Sequence, residues 1–169
     1  MIRVGHGFDF HRLAPGRPLV LGGVPIAHDQ GPIAHSDGDV VLHALCDALL
    51  GAASLGDIGR YFPDTDPRFA NSASSFFVKE TMAMVKSCGF DLGNVDVTIL
   101  AERPRLAPYI PAMRAALSPL LGLPEETISI KAKTMEGAGE IGDGKAIAAH
   151  AVCLLFLPGK EMLDRAALL

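Results

Sequence analysis

Residues Gly5–Arg12 read GHGFDFHR. Placed on a strand, this stretch sends Gly5, Gly7, Asp9 and His11 to one face and His6, Phe8 and Phe10 to the other, because successive side chains alternate. A carboxylate and an imidazole two residues apart on one face can hold the same ion. The glycines beside them let another segment or a ligand approach the backbone closely. An Asp-x-His pattern alone equally suits a polar pair at an exposed strand end.

Working outward, Ile2 to His11 is predicted to be a strand, and Pro18 to Leu21 a short second strand ended by Gly22-Gly23. Asp39 to about Ser54 has helical periodicity and a Gly56 stop, and Ser74 to Cys88 forms a second helix closed by Gly89. Val95, Val97 and Ile99 alternate with Asn94, Asp96 and Thr98, the pattern of a half-buried strand. Pro111 suits the first turn of a helix running to about Leu117, and Pro119 is expected to forbid an undisturbed continuation. Ile128 to Lys133 alternates again. Ala146 to Phe156 fits a buried strand or a buried helix, and its alanines favour the helix. No repeat, low-complexity tract or composition shift marks a boundary. The expectation is one α/β domain of the α+β type over residues 1–157, a small mixed sheet covered by helices, with 158–169 as a peripheral tail.

The chain has 169 residues, of which 49% are hydrophobic and 20% charged, with a net charge of -4. A chain of this length buries roughly 68–70% of its unfolded surface and needs no disulfide or structural metal to stay folded. A bound metal would then be functional. The acidic balance, with no Lys/Arg run longer than a pair, argues against binding to nucleic acid by phosphate neutralisation. The longest apolar run, Ala146 to Leu157, contains His150 and falls short of the roughly 18 residues of a membrane helix. The N-terminus begins directly with patterned sequence rather than a secretory apolar region. Cys46, Cys88 and Cys153 are widely separated and in no C-x-x-C pair, which reads as reduced core residues of a cytoplasmic protein.

A second string, AHSDGDVVLHALCDALLGAASLGD, begins at Ala34. Ser36 or Asp37 can cap the helix that starts near Asp39, and Asp39, His43 and Asp47 then recur four residues apart on one stripe. Val41, Leu45, Ala48 and Leu49 form the apolar face beside it. The stripe could simply be solvated. Alternatively, His43 is a metal ligand whose second ring nitrogen is oriented by a carboxylate such as Asp47. Asp9, His11 and His43 together supply two imidazoles and one carboxylate, a set that suits Zn²⁺ with a fourth position open.

A third string, LGDIGRYFPDTDP, places Asp57, Asp64 and Asp66 among Gly and Pro, in a loop where acids serve turns or accept hydrogen bonds from substrate hydroxyls. It is not an EF-hand, because Phe69 and Ser75 stand at the required Gly and Glu positions. Near the C-terminus, GAGEIG fits G-x-G-x-x-G, but too little chain follows for a dinucleotide fold. The overlapping GEIGDGKA lacks the Ser/Thr of a P-loop.

Taken in order, GHGFDFH, AHSDGDVVLHALCDALLGAASLGDIG, FPDTD, GNVDVTILAERPRLAPYI and KAKTMEG resemble the 2-C-methyl-D-erythritol 2,4-cyclodiphosphate synthase family over Ile2 to about Leu157. The resemblance implies a homotrimer of α/β subunits with active sites at subunit interfaces. It also implies a cytidine diphosphate substrate, 4-diphosphocytidyl-2-C-methyl-D-erythritol 2-phosphate. Its 2-phosphate would attack the β-phosphorus and expel CMP in non-mevalonate isoprenoid biosynthesis, with no nucleophile on the protein. Asp9, His11 and His43 fall on the family's zinc positions, and Glu136 on a carboxylate for a second divalent ion, Mg²⁺ or Mn²⁺. His35 and Ser36 match positions beside the attacking phosphate, and Asp57, Gly59 and Asp64 positions that hold the methylerythritol. Ala101, Pro104, Arg105, Leu106 and Ala107 match the cytidine pocket of the adjoining subunit, with Ala132, Lys133 and Thr134 near the nucleotide phosphates.

Lys133 stands where many members have Thr. Glu140 and Asp143 replace a Phe and an Arg that accompany an isoprenoid diphosphate in the trimer's central channel, and two acids are expected to repel such a ligand. Two other functions compete with the synthase. A metal-dependent phosphodiester hydrolase could use the same ligands on water, and a trimeric binding protein could keep the fold without the chemistry.

Overall fold

The computed structural model describes residues 1–158. Its main sheet has five strands in the order β4-β1-β7-β5-β6, where β1 is Ile2–Pro15, β4 Gln30–Pro32, β5 Asp91–Leu100, β6 Ile128–Lys133 and β7 Ala146–Phe156. Neighbours are antiparallel except β5 and β6, which run parallel. The mixed α+β sheet expected from sequence is therefore present. A small hairpin pairs β2 (Leu19–Leu21) with β3 (Val24–Ile26). Its two turn residues, Gly22 and Gly23, both have positive φ, the requirement of the tightest hairpin turn.

Helix α1 (Val40–Ala52) lies across β1 and β7. Gly5 and Gly7 permit that approach: a Cβ at Gly5 would stand 1.9 Å from the Ala48 carbonyl oxygen, and one at Gly7 2.0 Å from that of Ala44. Along β7, Ala149 and Ala151 face the same helix and are fully buried. These alanines explain why Ala146–Phe156 is a strand and not the helix its composition favoured. They are small because a helix crosses them, and β7 is the central strand, hydrogen-bonded on both sides. Leu42, Leu45, Leu49 and Leu50 carry α1 into the core, each contributing about 1.5–3 kcal/mol by burial.

The helix is buried on nearly every side, and it is capped by Asp39 itself rather than by Ser36 or Asp37. Asp39 is wholly buried. Its Oδ1 accepts from the backbone N–H groups of Gly22, Val41 and Leu42, and Oδ2 from that of Gly23 at 2.7 Å. Burial pushes this carboxyl up, to about 6, against the pull of those donors. The solvated Asp39/His43/Asp47 stripe is thereby excluded.

Helices α3 (Ser74–Ser87) and α4 (Ile110–Leu121) complete the layer on this side of the sheet, with α2 (Ile58–Tyr61) and α5 (Gly139–Gly142) as single turns. Helix α4 runs through Pro119, where a break was expected. The carbonyl that Pro119 cannot bond belongs to Ala115, on the exposed face and open to solvent. The helix then stops at Gly122, in the left-handed region. Cys46 and Cys153 are buried as expected, but Cys88, at the end of α3, is exposed. The G-x-G-x-x-G stretch contributes only the single turn α5 and leads straight into β7. The expected tail lies, beyond Pro158, outside the described residues.

The opposite face of the sheet carries Ile2, Val4, His6, Phe8 and Phe10 of β1 and Val152 of β7. No helix among the described residues covers it: Ile2 and Val4 are 68% and 67% exposed, and Phe8 47%.

Candidate metal centre

Strand alternation points Asp9 and His11 toward α1, and His43 comes down to meet them from the helix's first turn. Asp9 Oδ2 lies 3.0 Å from His43 Nδ1 and 3.2 Å from His11 Nε2, and the two nitrogens are 3.4 Å apart. The imidazole rings meet at 83°. A tetrahedral ion with bonds of about 2.0–2.1 Å requires donor atoms about 3.3–3.4 Å apart. The group therefore fits a dication bound by two imidazoles and a carboxylate, and among the described residues it is the one cluster of three or more such side chains with this geometry.

The electrostatics agree. Burial raises the Asp9 carboxyl, but hydrogen bonds to His11 and His43 outweigh it and hold the group well below the usual carboxylate range. Burial lowers His43, and the Asp9 carboxylate more than offsets it, so its pKa is raised. A dication there would take the place of the ring proton that the carboxylate favours.

The Asp47 expectation requires correction. Asp47 accepts the backbone N–H of Ile58, the first residue of α2, at 2.8 Å. His43 Nε2 instead faces Ser74 Oγ at 2.8 Å and Ser36 Oγ at 3.3 Å. The Ser74 hydroxyl in turn donates to the Asp37 carboxylate, which also accepts the Ser74 backbone N–H at 3.0 Å. Neither Asp37 nor Ser74 was singled out for this role from sequence. They are 37 residues apart, and no local pattern joins them.

His11 and His43 form part of the wall of a cleft of about 720 Å³, together with His35, Ser36, Gly59 and Asp64. Six of the sequence-selected residues thus share one space. Asp57 is not on its wall: its carboxylate accepts the Arg60 backbone N–H at 3.0 Å as the cap of α2. Asp66 caps the next turn in the same way. One side of the cleft is apolar, built from Phe62, Phe69 and Phe77, with Phe62 and Phe77 rings 5.0 Å apart. This aromatic wall was also missed. Its residues come from three segments, and Phe76-Phe77 at the start of α3 was its only compact signal.

A second cleft, of about 400 Å³, is lined by Ala101, Pro104, Arg105, Leu106, Ala107, Ala132, Lys133 and Thr134, with Glu102 and Arg103. It unites all eight residues matched to a nucleotide pocket. The two clefts share no lining residue. Glu136 lies beside the second, accepting the Thr134 hydroxyl at 2.7 Å, and does not join the Asp9 group within the chain. Glu140 and Asp143 do not stand as free acids: Arg12 is 3.4 Å from Glu140, and Lys145 is 2.7 Å from Asp143.

The profile of the YgbB family matches residues 2–156. The chain is 57% identical over 154 residues to the 2-C-methyl-D-erythritol 2,4-cyclodiphosphate synthase of Nitrosococcus oceani, covering 91% of this chain and 98% of that one. Its fold superimposes on a solved 2C-methyl-D-erythritol-2,4-cyclodiphosphate synthase in a CDP-bound form with a TM-score of 0.85 at 44% identity, covering 91% of this chain and all of the other. It also matches the bifunctional IspDF from Campylobacter jejuni, with a TM-score of 0.88 at 42% identity. That match takes in 92% of this chain but only 42% of the longer one.

Proposed function

The chain belongs to the YgbB family, and on that premise we propose how it works as a 2-C-methyl-D-erythritol 2,4-cyclodiphosphate synthase. It converts 4-diphosphocytidyl-2-C-methyl-D-erythritol 2-phosphate to the cyclic diphosphate. An oxygen of the 2-phosphate bonds to the β-phosphorus, the bond from that phosphorus to the bridging oxygen breaks, and CMP departs with the electron pair. The observation that carries the reading is the convergence of Asp9, His11 and His43 at 3.0–3.4 Å in a cleft that also presents His35, Ser36, Gly59 and Asp64.

Asp9, His11 and His43 would hold Zn²⁺, and Glu136 a Mg²⁺ or Mn²⁺ ion; bound there, the two supply Lewis acidity and neutralise phosphate charge. The chain's own part is placement. His35 and Ser36 flank the attacking phosphate, while Gly59 and Asp64 hold the methylerythritol. Asp57 caps α2 through Oδ1 and keeps Oδ2 free to accept from the same sugar. Phosphoryl transfer depends chiefly on in-line positioning and charge neutralisation, so no side chain need act as nucleophile. The Phe62, Phe69 and Phe77 wall offers no hydrogen-bonding partner for an attacking water. That favours cyclisation over the hydrolase alternative, which the relatives' names do not support either.

The second cleft is read as the cytidine pocket, with Ala101, Pro104, Arg105, Leu106 and Ala107 around the base and Ala132, Lys133 and Thr134 near the phosphates. The two clefts share no lining residue within one chain, which supports a site completed by a second copy. The apolar sheet face bearing Val4, Phe8 and Phe10 supplies a surface on which copies could close as a homotrimer. No helix among the described residues is long and apolar enough to cross a membrane.

Metal analysis of the purified protein alongside a CMP-release assay tests the reading. His43→Ala is expected to lose zinc and abolish CMP release while its circular dichroism stays unchanged. Undiminished turnover without zinc refutes the metal assignment, and an opened rather than cyclic product refutes the synthase.

A further inference from the structure

We propose that Ser74, backed by Asp37, is a positioning residue that fixes the tautomer of His43 and so aims a bare nitrogen at the metal. The inference rests on the metal reading above. An ionised carboxylate only accepts hydrogen bonds, and a serine hydroxyl has one hydrogen to give. Asp37 takes that hydrogen from Ser74 Oγ and also takes the Ser74 backbone N–H at 3.0 Å. With its hydrogen committed, Ser74 Oγ can only accept along its 2.8 Å contact with His43 Nε2. The ring hydrogen therefore belongs on Nε2, and Nδ1 of the neutral ring keeps its lone pair.

Nδ1 is the atom facing Asp9 Oδ2 at 3.0 Å and His11 Nε2 at 3.4 Å. In this tautomer the three atoms present electron pairs to one point and repel one another unless a cation stands between them. In the other tautomer Nδ1–H would donate to Asp9 and occupy the position the metal requires. Ser74 is completely buried, so water cannot replace its oxygen. Ser36 Oγ is the competing acceptor, but it lies farther away, at 3.3 Å, and already accepts the Gly38 backbone N–H at 3.2 Å. The carboxylate that orients the metal-binding imidazole is thus Asp37, six residues before His43 and acting through a hydroxyl, in place of Asp47 four residues after it.

The full chain tests this with zinc as the probe and two readouts. The first is zinc affinity by competition with a chromophoric chelator; the second is the tautomer of the neutral His43 ring in metal-free protein, from long-range ¹H–¹⁵N correlations at a pH above the ring's titration. Wild type is expected to carry the ring hydrogen on Nε2. Ser74→Ala should weaken zinc binding by about 10- to 100-fold and move hydrogen toward Nδ1. Asp37→Asn should shift both readouts the same way by less, and it serves as the second variant if Ser74→Ala fails to fold. Ser36→Ala should leave zinc affinity within about twofold of wild type. Wild-type affinity in Ser74→Ala, a wild-type hydrogen on Nδ1, or a loss confined to Ser36→Ala each overturns the proposal. A wild-type chain that binds no zinc overturns the metal reading instead, and the tautomer measurement then still decides the role of Ser74.

Discussion

The two faces of β1 have opposite fates. Toward α1, Gly5 and Gly7 hold two backbones in contact, Asp9 and His11 reach the metal cluster, and the packing closes within one chain. Away from it, Val4, His6, Phe8 and Phe10 meet no covering helix, and His6 Nε2 lies 3.0 Å from His150 Nδ1 on the same open surface. A single strand thus separates packing that one chain completes from an apolar face that it leaves open. The difference teaches that the Asp9–His11 pair and the open apolar face are coupled by strand pleat: a one-residue slip of β1 would exchange them.

The harshest way to break this comparison is Gly7→Ala. Its Cβ would stand 2.0 Å from a backbone oxygen that cannot yield without moving α1, so a loss of more than about 3 kcal/mol is expected in urea unfolding. A midpoint equal to that of wild type would show that the helix does not lie where it is placed here. On the open face, where the proposed trimer would close, Phe8→Asp should leave the secondary structure of each subunit intact yet shift the sedimenting species from trimer to monomer. Desolvating a carboxylate in a contact is costly, whereas leaving it in water is not. Persistence of the trimer would move the contact to another surface.

The mildest probe compares thiols. At pH 8, exposed Cys88 should react promptly with a disulfide reagent. Cys46 and Cys153, pushed by burial up to about 12 and about 11, should react only after denaturation. Three fast thiols in the native protein would contradict the dry interior under α1. The same shifts carry a sign for stability: the unfolded thiols ionise first as pH rises past their ordinary 9.0, so the folded state loses ground above that point.

How much could be read from the chain follows from how local each signal is. The alternation of Val95, Val97 and Ile99 is visible because one strand shows both its faces. Asp9, His11 and His43 can be grouped because residue chemistry narrows the choice and helix-on-strand packing joins them. Ala146–Phe156 misleads because its alanines answer to a helix nearly a hundred residues earlier. Asp39 could not be ranked above Ser36 and Asp37 as the cap, since its decisive partners, Gly22 and Gly23, belong to a distant hairpin. The Asp37–Ser74 link and the phenylalanine wall share that non-local origin.

The fourfold clasp on Asp39 also bears on how ready the ligands are. A carboxylate divided among amides from a hairpin and from its own helix forbids α1 both axial sliding and rotation, because either motion would strand a charge where no solvent reaches it. His43, one turn along, therefore inherits a fixed height and azimuth above Asp9 and His11. At the proposed site a dication would meet a socket already cut to size, and its capture should proceed without a prior rearrangement of the backbone.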